Sequence, residues 1–203
     1  QDWAKAYQEN QITIIYDTMW NSTRRMAECI AEGLRETDPT LTVKLFNSAV
    51  DDKNDIVTEV FKSKAILVGS PTINYGFLFS IGGIMEMIRG LKFKNKKAAA
   101  FGSYGWSGEA VKQITALLQG AGFDVVNDGL RCQWNPDQAT QETCRQYGRD
   151  FAAAVNASEA KEDEVQTELG DYNNDEQIGK AAKEHFEDWE KDAREGVKGG
   201  YAG

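Results

Sequence analysis

Short apolar runs alternate with helical patterns from residue 11 to residue 156, and this alternation limits the fold more than any other feature of the sequence. The strand-like runs lie at 12–16, 41–46, 65–70, 96–103 and, in broken form, 123–134. Segments with helical spacing separate them, and a last helix is predicted from Pro136 to about Ala154. Such a pattern predicts a parallel sheet with helices on both faces. Five strands favour a three-layer α/β/α sandwich with the strand order 2-1-3-4-5.

The acidity of the chain is concentrated after this region. Of the 32 acidic residues, 14 lie from Asn156 onward, together with only 6 of the 23 basic residues, so the tail carries most of the net charge of −9. An acidic tail is a poor partner for nucleic acid. No run in the sequence approaches the roughly 20 apolar residues that span a bilayer. We therefore expect neither nucleic acid nor a membrane as a partner.

Composition divides the chain into four parts. We predict an interdomain linker remnant at 1–10, the α/β domain at 11–156, an acidic linker at 157–174, and an amphipathic helix with a frayed end at 175–203. The apolar stripe of this last helix comprises Ile178, Ala182, Phe186, Trp189 and Ala193. Two interpretations of the helix stay open: it docks on its own body or subunit, or it binds another protein. The first residues contain neither an initiating Met nor an apolar signal core, so we interpret the chain as a piece of a longer protein.

Cysteine and histidine are too sparse to build a metal centre. Cys29, Cys132 and Cys144 are far apart, odd in number and without a CxxC pair, which argues against both a disulfide framework and a cysteine-built metal site. His185 is the single histidine in the sequence. A reducing cytoplasm is the compartment that fits best.

Three loops of unusual composition follow strands 1, 3 and 4, at 17–23, 70–77 and 102–108. Ligands of open parallel sheets bind beyond the carboxyl ends of the strands, so we expect the chemistry in these loops. The first loop carries the hydroxyls of Thr18, Ser22 and Thr23 and opens a helix, whose free N–H groups attract anions. It has neither the GxxxxGK[ST] of a nucleotide triphosphatase nor the GxGxxG of a dinucleotide site. It predicts a site for a terminal phosphate monoester; ordinary helix capping by Ser22 or Thr23 is the alternative.

The other two loops predict a flat ring system. Ser70, Thr72 and Asn74 supply polar edges in the second loop, beside the ring of Tyr75. The third loop carries Gly102, Gly105 and Gly108, which allow close backbone approach, together with the rings of Tyr104 and Trp106. A flat ring with polar edges and a phosphate would use all three loops, and flavin mononucleotide (FMN) has that shape. Edge packing of Tyr104 and Trp106 in a glycine-rich turn is the alternative.

Three motifs in order, YDTMWNSTRRMAECIAEGL, VGSPTINYG and AFGSYGWSGEAVKQI, resemble the flavodoxin-like domain of flavodiiron proteins. The likeness covers about residues 3–155, and WAKAYQEN resembles the segment that joins the two domains of that family. It implies a flavodoxin-like fold with a C-terminal helical extension, and FMN as cofactor. The implied phosphate cradle is Thr18, Met19, Trp20, Asn21, Ser22 and Thr23. The implied walls of the ring site are Ser70, Pro71, Thr72, Ile73, Asn74, Tyr75 and Gly76 on one side, and Ser103, Tyr104, Gly105, Trp106, Ser107 and Gly108 on the other.

The resemblance also implies a place in electron transfer. In such proteins the flavin accepts electrons from rubredoxin or an NAD(P)H-linked reductase and passes them to a di-iron centre that reduces oxygen to water or nitric oxide to nitrous oxide. Members assemble head to tail. The iron ligands belong to an N-terminal domain outside this sequence, and a single histidine cannot replace them. We therefore expect a redox domain without catalytic or metal-binding residues, which does not perform the terminal reaction, such as oxygen detoxification, alone.

Two alternatives use the same fold. A free-standing flavodoxin carrier would also bind FMN, but residues 3–10 read as an interdomain segment, and the body of the chain is nearly neutral where carriers are commonly acidic. A receiver-like interaction module would bind no cofactor. Such a module needs an acidic pair at the end of strand 1 and a lysine ending strand 5, whereas this sequence has only Asp17 and then Cys132 and Gln133 at those places.

Overall fold

The computed structural model describes residues 8–172, with side chains for residues 8–157. Strands and helices alternate as the sequence predicts. In chain order the elements are β1 (Glu9–Tyr16), α1 (Ser22–Thr37), β2 (Thr42–Asn47), α2 (Lys53–Lys62), β3 (Ser63–Gly69), α3 (Phe79–Leu91), β4 (Lys97–Tyr104), α4 (Glu109–Gly120), β5 (Asp124–Val125), β6 (Leu130–Gln133) and α5 (Gln138–Tyr172).

The sheet has the predicted order, β2-β1-β3-β4-β5, and the paired strands are parallel. The fifth predicted strand is broken into β5 and β6, which both pair with β4 at different points along its length. The break lies at a turn in which the side-chain oxygen of Asn127 accepts a hydrogen bond of 2.9 Å from the backbone N–H of Gly129. Gly129 has a φ of 86°, a left-handed conformation that favours glycine. The three-layer flavodoxin-like architecture is therefore confirmed.

Apolar side chains fill both faces of the sheet. One core contains Ile14 and Leu67 and is covered by residues of α1 and of the first part of α5. The other contains Ile15 and Val68 and is covered by α2, α3 and α4. All seven residues of β3 are buried, which explains its continuous apolar run: a central strand has helices on both sides. The carboxyl ends of β1, β3 and β4 consequently meet at one rim, where their loops lie.

The last helix extends further than the sequence analysis predicts. We expect its end at about Ala154, but α5 continues to Tyr172. The segment from 155 to 169 contains no proline or glycine, and four of its 15 residues are Glu and two are Ala, which favour helix. The chain divides into units of residues 1–156 and 157–203. The linker role of 157–174 stays a prediction, and the predicted helix at 175–196 and most of the segment 1–10 lie outside the described residues.

None of the helices in the described part of the chain has the length and apolar character needed to cross a membrane.

Candidate functional site

The first loop leaves the N-terminus of α1 open. Asn21 precedes the helix in a left-handed conformation, with a φ of 63°, and its side chain makes no capping hydrogen bond. Because α1 begins at Ser22, neither Ser22 nor Thr23 is the N-cap, and the capping interpretation of these two residues is wrong. No acidic residue lies in the first turn. The backbone N–H groups of this turn, at the positive end of the helix dipole, suit an anion.

Three hydroxyl groups meet beside this helix end, two from the first turn of α1 and one from the end of β4. The Ser103 hydroxyl at the end of β4 lies 2.8 Å from the Ser22 hydroxyl and 3.1 Å from that of Thr23. Thr23 and Ser103 are both buried. The Thr18 hydroxyl is also buried, and it has no hydrogen-bond partner among the residues with described side chains. Buried hydroxyls normally have partners, so an unused one beside an open helix N-terminus fits the oxygen of a bound phosphate.

Asp17 fixes the start of this loop. One of its carboxylate oxygens accepts the N–H of Thr18 at 2.7 Å, and the other accepts a short hydrogen bond from the Ser80 hydroxyl of α3. The Ser80 hydroxyl in turn lies 2.8 Å from that of Ser48, which follows β2. Asp17 is only 7% exposed. This buried network holds the first loop against two other elements, and the sequence analysis did not detect it.

The second loop is a tight reversal. Ile73 and Gly76 form an antiparallel bridge, and between them Asn74 and Tyr75 have φ values of 48° and 60°. The carbonyl oxygen of Tyr75 accepts a hydrogen bond of 2.7 Å from the Gln113 side chain of α4, which holds the turn against that helix. The Tyr75 side chain is 76% exposed and free to contact a ligand.

The base of the second loop is joined to neighbouring elements. The Thr72 N–H donates to the Ser103 carbonyl at 2.8 Å, and the Thr72 hydroxyl accepts the Ala110 N–H at 3.3 Å. The Ser70 hydroxyl is buried and accepts the Leu78 N–H at 2.9 Å. Ser70 therefore shapes the loop rather than offering a hydroxyl to a ligand.

All three loops contribute to one cleft of about 330 Å³. Its predicted lining residues are Met19, Trp20, Ser22, Pro71, Thr72, Ser103, Tyr104, Gly105 and Trp106. The other predicted residues lie outside this lining: Thr18, Asn21, Thr23, Ser70, Ile73, Asn74, Tyr75, Gly76, Ser107 and Gly108. Trp20 and Trp106 are 80% and 89% exposed, so their rings are not packed in the core. Trp106 does pack edge-on against the ring of Trp134, but most of its surface stays open to a flat ligand, so edge packing and ligand contact are compatible for this residue.

Two lining residues, Trp134 and Asn135, escaped the sequence analysis. They follow β6, whose carboxyl end lies at the same rim as that of β4. The signal for them is their position after the last strand, whose carboxyl end lies beside that of β4.

Two titratable residues at the ends of strands β1 and β6, Tyr16 and Cys132, are buried packing residues. Burial raises the pKa of the Cys132 thiol and of the Tyr16 phenol. Cys132 lies opposite Ser103 in the parallel pairing of β6 with β4. A buried thiol with a raised pKa stays protonated at neutral pH and is a poor nucleophile. Within the described ranges, no group of three or more His, Cys, Asp or Glu residues could hold a metal ion.

Comparison with known families places this fold and cleft in context. A family model described as Flavodoxin matches residues 14–148. The chain belongs to the flavodoxin family. Its flavodoxin domain is 52% identical over 150 residues to the anaerobic nitric oxide reductase flavorubredoxin of Escherichia coli O1:K1 / APEC, a match that covers 74% of this chain and 31% of that protein.

Two solved structures resemble the flavodoxin domain closely. The rubredoxin oxygen:oxidoreductase of Desulfovibrio gigas is 36% identical with a TM-score of 0.72, covering 77% of this chain and 38% of that one. The flavodiiron protein of Giardia intestinalis is 28% identical with a TM-score of 0.70, covering 74% and 37%. The predicted resemblance to the flavodoxin-like domain of flavodiiron proteins is confirmed. The chain spans about a third of the length of the curated relative described above.

Proposed function

We propose that this flavodoxin domain binds FMN and transfers electrons. The observation that carries the proposal is the meeting of three loops at one rim, with hydroxyls and an open helix N-terminus at one end and exposed aromatic rings along the cleft. These two halves match the two chemical parts of FMN, a phosphate and a flat ring. Membership of the flavodoxin family supports the same conclusion.

The residues divide between the two parts of the cofactor. We assign the phosphate to the first turn of α1 and to the hydroxyls of Thr18, Ser22 and Thr23, with Ser103 orienting the last two. We assign the ring to the cleft between the loops 70–76 and 103–108. Bound FMN would supply reversible one- and two-electron redox chemistry. The protein's own side chains bind and orient it and exclude water, and none of them makes or breaks a bond.

The relatives suggest the partners. One is named a nitric oxide reductase flavorubredoxin and another a rubredoxin oxygen:oxidoreductase. We infer that the FMN of this domain accepts electrons from rubredoxin or an NAD(P)H-linked reductase and passes them to a di-iron centre carried by a separate domain. Oxygen or nitric oxide would be the final acceptor. In a longer protein, head-to-tail assembly would bring the two centres together, in the cytoplasm.

Titration of the apoprotein with FMN tests this function. We expect one equivalent of FMN to bind, with a change in flavin fluorescence and a visible flavin spectrum that survives dialysis. Reduced rubredoxin should then reduce the bound flavin under anaerobic conditions. A protein that stays colourless with excess FMN would contradict the proposal and favour the cofactor-free interaction module. A protein that binds FMN but is not reduced by rubredoxin or a reductase would contradict only the assignment of the donor.

A further inference from the structure

Trp134 stands at the edge of the cleft in an unusual backbone conformation. Its φ is 62°, in the left-handed region that bulky side chains rarely occupy. Residues in such conformations cost free energy and persist where the surrounding structure holds them, often at functional sites. The Trp134 N–H donates to the Tyr104 carbonyl at 2.8 Å, and the Gln133 side chain donates to the Gly105 carbonyl at 3.1 Å. These two hydrogen bonds therefore hold the loop after β6 against the third loop of the site.

The backbone of this loop, held in this position, places the Trp134 ring in contact with two residues of the site. Its centroid lies 5.3 Å from that of Trp106, with an interplanar angle of 78°, an edge-to-face pair. The ring also lies so close to Gly105 that a Cβ atom there would be 3.1 Å from it. Despite these contacts the residue is 56% exposed, and it lines the cleft. Part of the ring is thus held in place while the rest remains open to a ligand.

These observations indicate a role beyond stability. A tryptophan that served only packing would be buried, whereas this one keeps about half of its surface exposed at the cleft. An ordinary turn residue would adopt the left-handed conformation more readily, since glycine and asparagine do so at lower cost. The conformation instead directs a large aromatic ring to the place where Trp106 also lies.

We propose that Trp134 is a further FMN-binding residue, which contacts the ring system and holds Trp106 at the wall of the cleft. This inference rests on the proposed function. It assigns to the loop after β6 a share in ring binding, so that four loops rather than three form the site.

The variant Trp134→Gly removes the ring and permits the same backbone conformation, because glycine adopts positive φ freely. We expect it to raise the FMN dissociation constant by about tenfold to a hundredfold, the usual cost of losing an aromatic stacking partner. We also expect it to change the visible circular dichroism of the bound flavin. Trp134→Phe should restore most of the affinity, because it keeps an aromatic face.

Lys92→Gly is the matched control. Lys92 also has a left-handed conformation, with a φ of 46°, but it is the C-cap of α3 and does not line the cleft. We expect its FMN affinity and flavin dichroism to equal those of the wild type. Thermal unfolding of each apoprotein checks that the variants fold. If Trp134→Gly does not fold, Trp134→Asn takes its place, because asparagine also tolerates the left-handed conformation, and an unchanged FMN affinity in that variant would overturn the inference.

The outcomes separate this inference from the proposed function. Wild-type protein that binds no FMN would contradict the function itself. Wild-type protein that binds FMN, with a folded Trp134→Gly variant whose affinity and dichroism are unchanged, would overturn the role of Trp134 alone.

Discussion

Replacing Thr18 and Ser22 together by alanine is expected to weaken FMN binding by roughly a thousandfold. Each hydroxyl is assigned a hydrogen bond to a charged phosphate, and such bonds contribute about 1.5–3 kcal/mol each. Two of them correspond to about 3–6 kcal/mol, and each 1.4 kcal/mol is a factor of about ten in affinity, so a thousandfold loss, about 4 kcal/mol, lies within this range. The Thr18 hydroxyl has no partner in the described part of the molecule, so its removal should cost the apoprotein little stability.

Riboflavin, which lacks the phosphate, isolates this effect. Fluorescence titrations of the double variant and the wild type with both ligands should show a large loss for FMN and almost none for riboflavin. Thr143→Ala is the control variant, because its hydroxyl bonds to the Ala139 carbonyl on the exposed side of α5, away from the cleft. Equal losses for FMN and riboflavin would show that the substitutions distort the loop. Unchanged FMN affinity would show that the phosphate lies elsewhere.

Replacing Gly33 by alanine is expected to lower the free energy of unfolding by about 3 kcal/mol, at the upper end of what overpacking costs. Helices α1 and α5 touch backbone to backbone at this point. A Cβ atom on Gly33 would lie 2.0 Å from the Arg145 carbonyl oxygen, and one on Gly148 would lie 2.3 Å from that of Ile30. No side-chain rotation can relieve a clash between backbones, so the helices must separate and expose part of the core between them.

Chemical denaturation measures this change, and Gly90→Ala supplies the matched control. Gly90 is also within a helix, α3, but nothing lies within 4 Å of a Cβ atom placed there. Alanine is the better helix former, so Gly90→Ala should stabilise the protein by roughly 0.5–1 kcal/mol. A lower free energy of unfolding in Gly33→Ala, together with a higher one in Gly90→Ala, would support the close packing of α1 and α5. A Gly33→Ala protein as stable as the wild type would contradict it.

Sequence patterns predicted the sheet well because its central strands are buried on both faces. The run AILVG in β3 has no polar interruption, so its identity and place follow from the apolar pattern alone. The C-terminal end of α5 was predicted less well. The polar, acidic composition of the segment does not by itself indicate the helix, which continues to Tyr172 with no proline to end it.

The sequence predicts the three loops of the candidate site one at a time, but it does not indicate the tertiary contacts that join them. The hydrogen bond from Ser80 to Asp17 joins residues 63 positions apart, and nothing in either local sequence indicates it. The Trp106–Trp134 pair depends on a left-handed backbone conformation that sequence patterns do not assign to tryptophan. Local composition identifies which residues offer hydroxyls and rings, whereas tertiary contacts decide which of them meet.

A crystal structure of the protein grown with excess FMN tests the central claim most directly. The phosphate should lie at the first turn of α1, within hydrogen-bond distance of the Thr18 and Ser22 hydroxyls, and the ring should lie in the cleft beside Trp106. A cleft that contains only solvent, or a flavin bound at another surface, would contradict the claim that these loops form an FMN site.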